Sequence, residues 1–542
     1  MKQTLKKIIK PFYFAAMDSV FFLPRLFSYY KKQQLTETQE QFAEELSFFK
    51  TPENLKADGI LLVQFIKDYE YTIKFAAAAK TYAQKNNLNV SFYDVSWTRW
   101  IGWGNKFDHI FNRYVTSSNE KLHRAFGGKL IFRNEDKFHD QSFIQQQLQK
   151  IQKQIIKAED ILTIKFENIL VGDLIYDTYL RYFSQPTIER INADILKVIE
   201  IGLNIFYNFE KLLKEQKIKA LFNSYTTYIE HGIPARICLQ KGIKVFTFGS
   251  YSYIIQEATL NFPYHAIDHS KINPERKISA LDLEASKTLF TSRFSGVIDE
   301  ATRYMKVSAF SEKPISQELI AKFKSSKRNV VIYTHDFYDS PHINRCLLFP
   351  DLYLFLKQTL DVLVNSSDTN FYIKTHPNSY GDCKERTIAL VNNYGLKHFH
   401  ILDDSTSNIH IINLKPDLIV TARGTVGIEM AHFKIPVVAL YDNQYINFKF
   451  VHSCRDLNTF FSIIKGEQQP VIDYDIESIY SFYFQTFMEK FPGKDNAILK
   501  LTTKDGQSFN DEYLKNILNN GFSKWKNDLF LYFREALKQL QK

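Results

Sequence analysis

Two kinds of stretch alternate along this chain. Short, continuous apolar runs of strand length are followed by longer stretches whose apolar residues recur at helical spacing. The clearest case runs from Pro416 to Tyr441. Leu418 to Thr421 is an apolar, β-rich run, and Ala422 to Gly427 is a small-residue loop with two glycines. Val426 to Phe433 has helical spacing, and Pro436 to Leu440 reads as a second buried strand. Strand, loop, helix and strand make a βαβ unit, which requires a parallel sheet and puts the loop at the carboxyl end of the first strand. Open α/β sheets bind ligands at that edge.

The same alternation extends upstream. Asn329-Val-Val-Ile-Tyr-Thr334, Asn370 to Lys374 and His398 to Leu402 read as strands. Leu348 to Val364 and Cys383 to Tyr394 read as helices, and Asp403 to Ser407 caps another. The first half repeats the theme with strands at Gly59 to Phe65, Asn89 to Val95, Lys129 to Arg133, Lys219 to Phe222 and Lys244 to Phe248. Its helices are Tyr71 to Lys85, Gln141 to Ala158, Ile191 to Lys217 and His231 to Gln240. The pattern predicts an α/β protein of two Rossmann-like domains. Residues 1–45 form a basic amphipathic N-terminal segment and linker, and 46–265 the first domain. Residues 266–325, mostly polar, read as a linker, 326–465 as the second domain and 466–542 as a helical extension.

Composition narrows the partners. A chain of 542 residues needs more than one core. A net charge of +10 suits nucleic acid, an anionic membrane surface or an acidic substrate. No nucleic-acid motif and no basic run interleaved with aromatics appears, so nucleic acid is not an expected partner. The four cysteines, Cys238, Cys346, Cys383 and Cys454, are scattered without a CxxC pair, which fits a reducing cytoplasm and argues against a structural zinc site. At the N-terminus Lys2, Lys6, Lys7 and Lys10 precede an aromatic run, Pro11 to Tyr30, broken by Asp18, Pro24 and Arg25. No apolar stretch reaches the roughly 18 residues needed to cross a bilayer. A peripheral, interfacial contact with the inner membrane is the expectation.

Candidate chemistry gathers at predicted strand ends. In the Ala422 to Gly427 loop, Gly424 and Gly427 permit close backbone approach, Thr425 can cap the helix and Arg423 adds a bidentate donor. These features suit a phosphate. Glu429 stands where a carboxylate can accept ribose hydroxyls. Lys374 and His376 end another strand and face the same edge. Ser405 lies in the Asp403 to Ser407 cap. His335-Asp-Phe-Tyr-Asp-Ser-Pro-His342 is a dense polar cluster after a strand. A helix start explains Asp339, Ser340 and Pro341, but leaves His335, Asp336 and His342 over. Metal ligation by this cluster lacks a second His/Asp group to complete it. In the first half, Asp173 caps an apolar run, and Asp177 and Arg181 have ion-pair spacing. Tyr225, His231 and Arg236 can reach that sheet's ligand edge, and Trp97, Trp100 and Trp103 form an aromatic loop.

These motifs resemble glycosyltransferases with two Rossmann domains (the GT-B type). More narrowly, they resemble bacterial capsular and surface polysaccharide biosynthesis proteins, the Kdo-transferase-like members included. The resemblance is carried by His335 to His342, Lys374-Thr-His-Pro377, Arg423-Gly-Thr-Val-Gly-Ile-Glu429 before Ile435-Pro-Val-Val438, Val171 to Asp177 and His231 to Arg236, within residues 58–450. It implies transfer of a sugar from a nucleotide-sugar to a growing capsule or lipopolysaccharide chain. The second domain would hold the donor through Lys374, His376, Arg423, Gly424, Thr425, Glu429 and Ser405, and the first would hold a lipid-linked or polysaccharide acceptor. Catalytic candidates are Asp336, Asp339 and His342, with Asp173 in the first domain. The resemblance implies no metal and no cofactor beyond the donor substrate. Three other readings compete: a CDP-polyol phosphotransferase of teichoic-acid type, a sugar-nucleotide epimerase and a non-catalytic glycan-assembly scaffold.

Overall fold

The computed structural model describes residues 24, 26–94, 116–133, 138, 140–248, 255–302, 305, 307–310, 313–343, 347–489, 501 and 509–539. The basic start of the N-terminal segment, the tryptophan loop and Cys346 lie outside them.

Each half is built on one six-stranded sheet. The first contains β1 (Gly59–Gln64), β2 (Leu88–Asp94), β3 (Leu130–Arg133), β6 (Ile218–Asn223), β7 (Lys244–Thr247) and β8 (Gln256–Ala258). A separate small hairpin pairs β4 (Lys165–Phe166) with β5 (Ile169–Leu170). The second sheet contains β9 (Arg328–Tyr333), β10 (Thr369–Lys374), β11 (Phe399–Leu402), β12 (Leu418–Thr421), β13 (Val437–Leu440) and β14 (His452–Cys454). Their orders are β3-β2-β1-β6-β7-β8 and β11-β10-β9-β12-β13-β14. Both follow the doubly wound Rossmann pattern, in which the strand order reverses beside the first strand. Within these two sheets all pairs are parallel except β7 with β8. The protein is therefore an α/β molecule of two Rossmann-like domains.

Burial on both faces explains the continuous apolar runs. Leu62 of β1 packs into one core while Leu61 and Val63 pack into another on the opposite face. In β9, Val331 and the pair Val330 and Ile332 divide in the same way. The three-residue edge strands β8 and β14 have no such signature and were not expected from the pattern.

Two boundaries need correction. Residues 266–325 are not a linker. Ile267, Ile272, Phe290, Phe310 and Phe323 are buried in the same core as Val331 and Ile419. They are isolated apolar anchors in polar sequence, so no periodic pattern marks them. The C-terminal extension divides between the halves. The helix Ile476–Tyr483 joins the second core. The helices Asp511–Asn520 and Phe522–Gln539 cover the first, where Phe42 meets Phe509, Phe522 and Trp525 at ring-centroid distances of 5.3, 5.7 and 6.0 Å. Among the described residues no helix is long and apolar enough to cross a membrane.

Candidate active site

The carboxyl ends of β9, β10 and β12 surround a cleft of about 280 Å³, at the point where the second sheet reverses its order. His335 and Asp339 follow β9, Lys374 and His376 follow or end β10, and Arg423, Gly424, Thr425 and Glu429 follow β12. All of these line it, joined by Tyr333, Asn408 and Gln444.

The Arg423 loop is held from below. His335 Nε2 accepts the Arg423 backbone N–H at 3.2 Å and lies 3.1 Å from Thr421 Oγ1, which itself accepts the Gly424 N–H at 3.1 Å. An imidazole nitrogen that accepts an N–H carries no proton. Burial, and then the neighbouring His376 and Arg423, press the His335 pKa down to about 3, so the ring stays neutral. His335 therefore positions the loop. On its other side Tyr445 Oη donates to Gly424 O at 2.9 Å and accepts the Ile428 N–H at 3.2 Å. A Cβ on Gly427 would stand 2.5 Å from the Tyr445 ring. Gly427 is needed for this packing, not for approach to a phosphate. Thr425 occupies the cap position of the helix Val426–His432 but makes no side-chain cap bond. Its hydroxyl helps hold the Glu429 carboxylate instead.

Two groups give the cleft its positive and donor character alongside Arg423. Lys374 Nζ donates to Asp404 O at 3.0 Å, and burial lowers its pKa to about 8, which leaves it charged at neutral pH. His376 Nδ1 accepts the Asn378 N–H at 3.2 Å, which places its proton on Nε2. Burial, with Lys374 nearby, lowers its pKa to about 4. Glu429 is deeply buried. Arg293 Nη1 lies 3.2 Å from one carboxylate oxygen, and Asn408 Nδ2 donates to the other at 3.1 Å. Burial raises the Glu429 pKa against the pull of Arg293. Arg293 is itself clamped by Asp299. Sequence reasoning missed Arg293, Asp299 and Asn408. Arg293 and Asp299 sit in the supposed linker and had no signal. Asn408 directly follows the recognised cap at Ser407.

Other candidates are committed elsewhere. Asp336 accepts the backbone N–H groups of Tyr338 and Tyr380 and clips two loops together. His342 is buried against the first half, with its Nδ1 2.6 Å from Asp177 Oδ1. Burial opposes its charge, but Asp177 outweighs that and raises its pKa, so the pair shares one proton. Asp177 therefore does not pair with Arg181 as expected. Asp173 takes both Arg236 terminal nitrogens, at 2.6 and 2.5 Å. Burial resists its charge and the Arg236 pair prevails, holding the carboxyl below its ordinary value. Asp173 and Asp336 are thus engaged by protein partners, His342 is held through Nδ1 while its buried Nε2 has no hydrogen-bond partner, and none of the three lines the cleft. Ser405 donates to Asp403 and does not line the cleft. The cluster His335 to His342 disperses to different partners, among them Thr421, Tyr380 and Asp177. Among the described residues no three His, Cys, Asp or Glu side chains group as metal ligands would.

Asp339 remains. It is exposed and lines both this cleft and a second cavity of about 590 Å³ between the halves. Arg181, Tyr225, Thr227, Tyr228 and His231 of the first half line the second cavity, facing Ser340, Ile343 and Tyr380.

No protein-family model matches the chain. No curated protein matches it either. Among solved structures it overlaps the β-Kdo 2,4-transferase of Thermosulfurimonas dismutans KpsC, at 8% identity and a TM-score of 0.33, over 49% of this chain and 79% of that one. A UDP-GlcNAc 2-epimerase from Methanocaldococcus jannaschii overlaps at 12% identity and a TM-score of 0.23, over 78% and 97%. The wall teichoic acid polymerase TagF overlaps at 11% identity and a TM-score of 0.19, over 95% and 99%. Overlaps this loose do not choose between the three activities, and the fold assignment rests on the strand orders themselves.

Proposed function

We propose that the protein is a metal-independent glycosyltransferase that moves a sugar from a nucleotide-sugar to a growing surface polysaccharide, capsule or lipopolysaccharide. One observation carries this reading: two cavities, one in the second half and one between the halves, meet at a single exposed carboxylate, Asp339. The second-half cleft takes the donor. Arg423, Lys374 and the His376 Nε2–H meet the phosphate charge, and the fixed Glu429 carboxylate accepts ribose hydroxyls. The cavity between the halves takes the acceptor. Asp339 accepts the proton of the acceptor hydroxyl as its oxygen bonds to the anomeric carbon. The bond from that carbon to the phosphate oxygen breaks, and the phosphate leaves with the electron pair. The nearby cations stabilise the charge that develops there. The basic, aromatic N-terminal segment would bring the protein to the inner membrane, where lipid-linked acceptors lie.

An epimerase needs only the donor cleft, so the acceptor-sized second cavity favours transfer. The test is a product assay with a nucleotide-sugar in the presence and absence of a saccharide acceptor. The reading expects turnover only with both, and a loss of about a hundredfold or more in Asp339→Asn with nucleotide binding intact. Conversion of the donor alone, transfer of a polyol phosphate, or full activity in Asp339→Asn would overturn it.

A further inference from the structure

The cavity between the halves is chemically one-sided. The Nδ1 of each of its two histidines is already used. Gln64 Nε2 donates to His231 Nδ1 at 2.6 Å, and the Thr226 backbone N–H donates to His265 Nδ1 at 3.1 Å. Both rings are neutral, with pKa values lowered by burial, His265 to about 3. Each therefore carries its proton on Nε2, and that of His231 lies 3.8 Å from Glu230 Oε1. The hydroxyls of Ser184 and Thr227 and four tyrosines add to the wall. Arg181 supplies the cavity's cation. Its guanidinium lies over the Tyr380 ring at 4.3 Å, and among the described residues no carboxylate pairs with it. Among the described residues Asp339 is the only carboxylate in the lining, and it stands on the wall shared with the other cleft.

Tyr228, which lines the cavity, has φ 61°. A bulky residue in the left-handed region is an outlier that surrounding structure must enforce, and such residues cluster at ligand sites. Tyr228 starts the helix Tyr228–Gln240, whose next turn carries His231.

We infer that this cavity binds an anionic saccharide, a sugar bearing a carboxylate or a phosphate, with Arg181 as the anion's anchor and the tyrosines as stacking walls. The inference rests on the acceptor reading above and names the acceptor's class. Arg181 suits the role because a guanidinium offers paired donors to a planar carboxylate or a phosphate. Tyr380 keeps it in place from the opposite half.

The test uses the full chain and ligand-observed NMR titration with glucose, glucuronate and glucose 6-phosphate, with UDP, CDP, CMP and GDP titrated in parallel. At least one anionic sugar should bind about tenfold or more tightly than glucose. Arg181→Gln should erase that preference, Arg181→Lys should keep part of it, and nucleotide affinity should not change in either. The tighter of the two anionic probes identifies carboxylate or phosphate. Equal binding of glucose and the anionic sugars, no binding of an anionic sugar, or a preference that survives in a folded Arg181→Gln would overturn the inference. The two failures separate cleanly. Nucleotide binding without anion preference sinks this inference alone, and anion preference without nucleotide binding sinks the donor assignment alone.

Discussion

The two halves share a strand order and differ in what they do with charge. In the second, Lys374, Arg423 and the neutral His376 stand at the strand ends and line the cleft. In the first, the corresponding charges are paired away from its cavity: Asp173 with Arg236, and Asp177 with His342 of the other half. What remains around the cavity between the halves is aromatic and neutral apart from Arg181 and the shared Asp339. The same topology thus yields a cleft lined by Lys374 and Arg423 on one side and a largely aromatic, neutral cavity on the other. Side chains at the strand ends make the difference, since the sheets do not. Each half also buries one arginine against carboxylates, Arg236 in the first and Arg293 in the second, but only the second reaches its site, through Glu429.

That contrast can be broken most forcefully at the two arginines. Removing one partner of a buried ion pair leaves an uncompensated charge and costs about 3–5 kcal/mol. Arg236→Met and Arg293→Met should both lower stability by about that much in chemical denaturation. Only Arg293→Met should also weaken nucleotide binding, because it releases Glu429. Equal loss of nucleotide binding in both variants would contradict the division of labour.

A smaller effect comes from pH. The buried neutral histidines, His335 and His376 beside the donor cleft and His265 beside the other cavity, have folded pKa values of about 3, 4 and 3. These lie below the unfolded value of about 6.5. The unfolded chain therefore binds more protons between those limits, and stability rises with pH across them. It is complete above about pH 6.5 and is lost as pH falls toward 4, by about 1.4 kcal/mol per pH unit for each ring. Melting temperature should fall below pH 6.5, and His335→Gln should flatten the slope. An unchanged slope would show that His335 is not held neutral.

The smallest effect tests the contact between the halves. Tyr176 Oη donates to Asp351 Oδ2 at 2.7 Å. Tyr176→Phe should cost about 1 kcal/mol, measured by denaturation, and leave both cavities able to bind.

How much was legible follows from where each signal lives. The doubly wound plan could be read because strands buried on both faces must be continuously apolar, as in Val330 to Ile332. The Arg423 loop, Lys374 and His376 could be read because strand-end polar residues stand out against such runs. Asp336, His342 and Asp173 looked equally good, since a sequence does not reveal which carboxylate already has a partner. Asp177 bonding to a histidine 165 positions away is a tertiary fact. Arg293 was hidden for the converse reason: its buried surroundings are assembled from isolated residues with no period to read. Gly427 was assigned the wrong neighbour, because a glycine beside a buried tyrosine and a glycine beside a ligand look alike in sequence.

The central claim is that the nucleotide binds in the second half and not in the first. Calorimetric titration of UDP, CDP, CMP and GDP into the wild type, Arg423→Ala and Arg181→Gln tests it most directly. The account predicts that one nucleotide binds, that Arg423→Ala weakens it by about tenfold or more, and that Arg181→Gln leaves it within about twofold. Binding that is lost in Arg181→Gln but kept in Arg423→Ala, or no binding of any nucleotide, would contradict it.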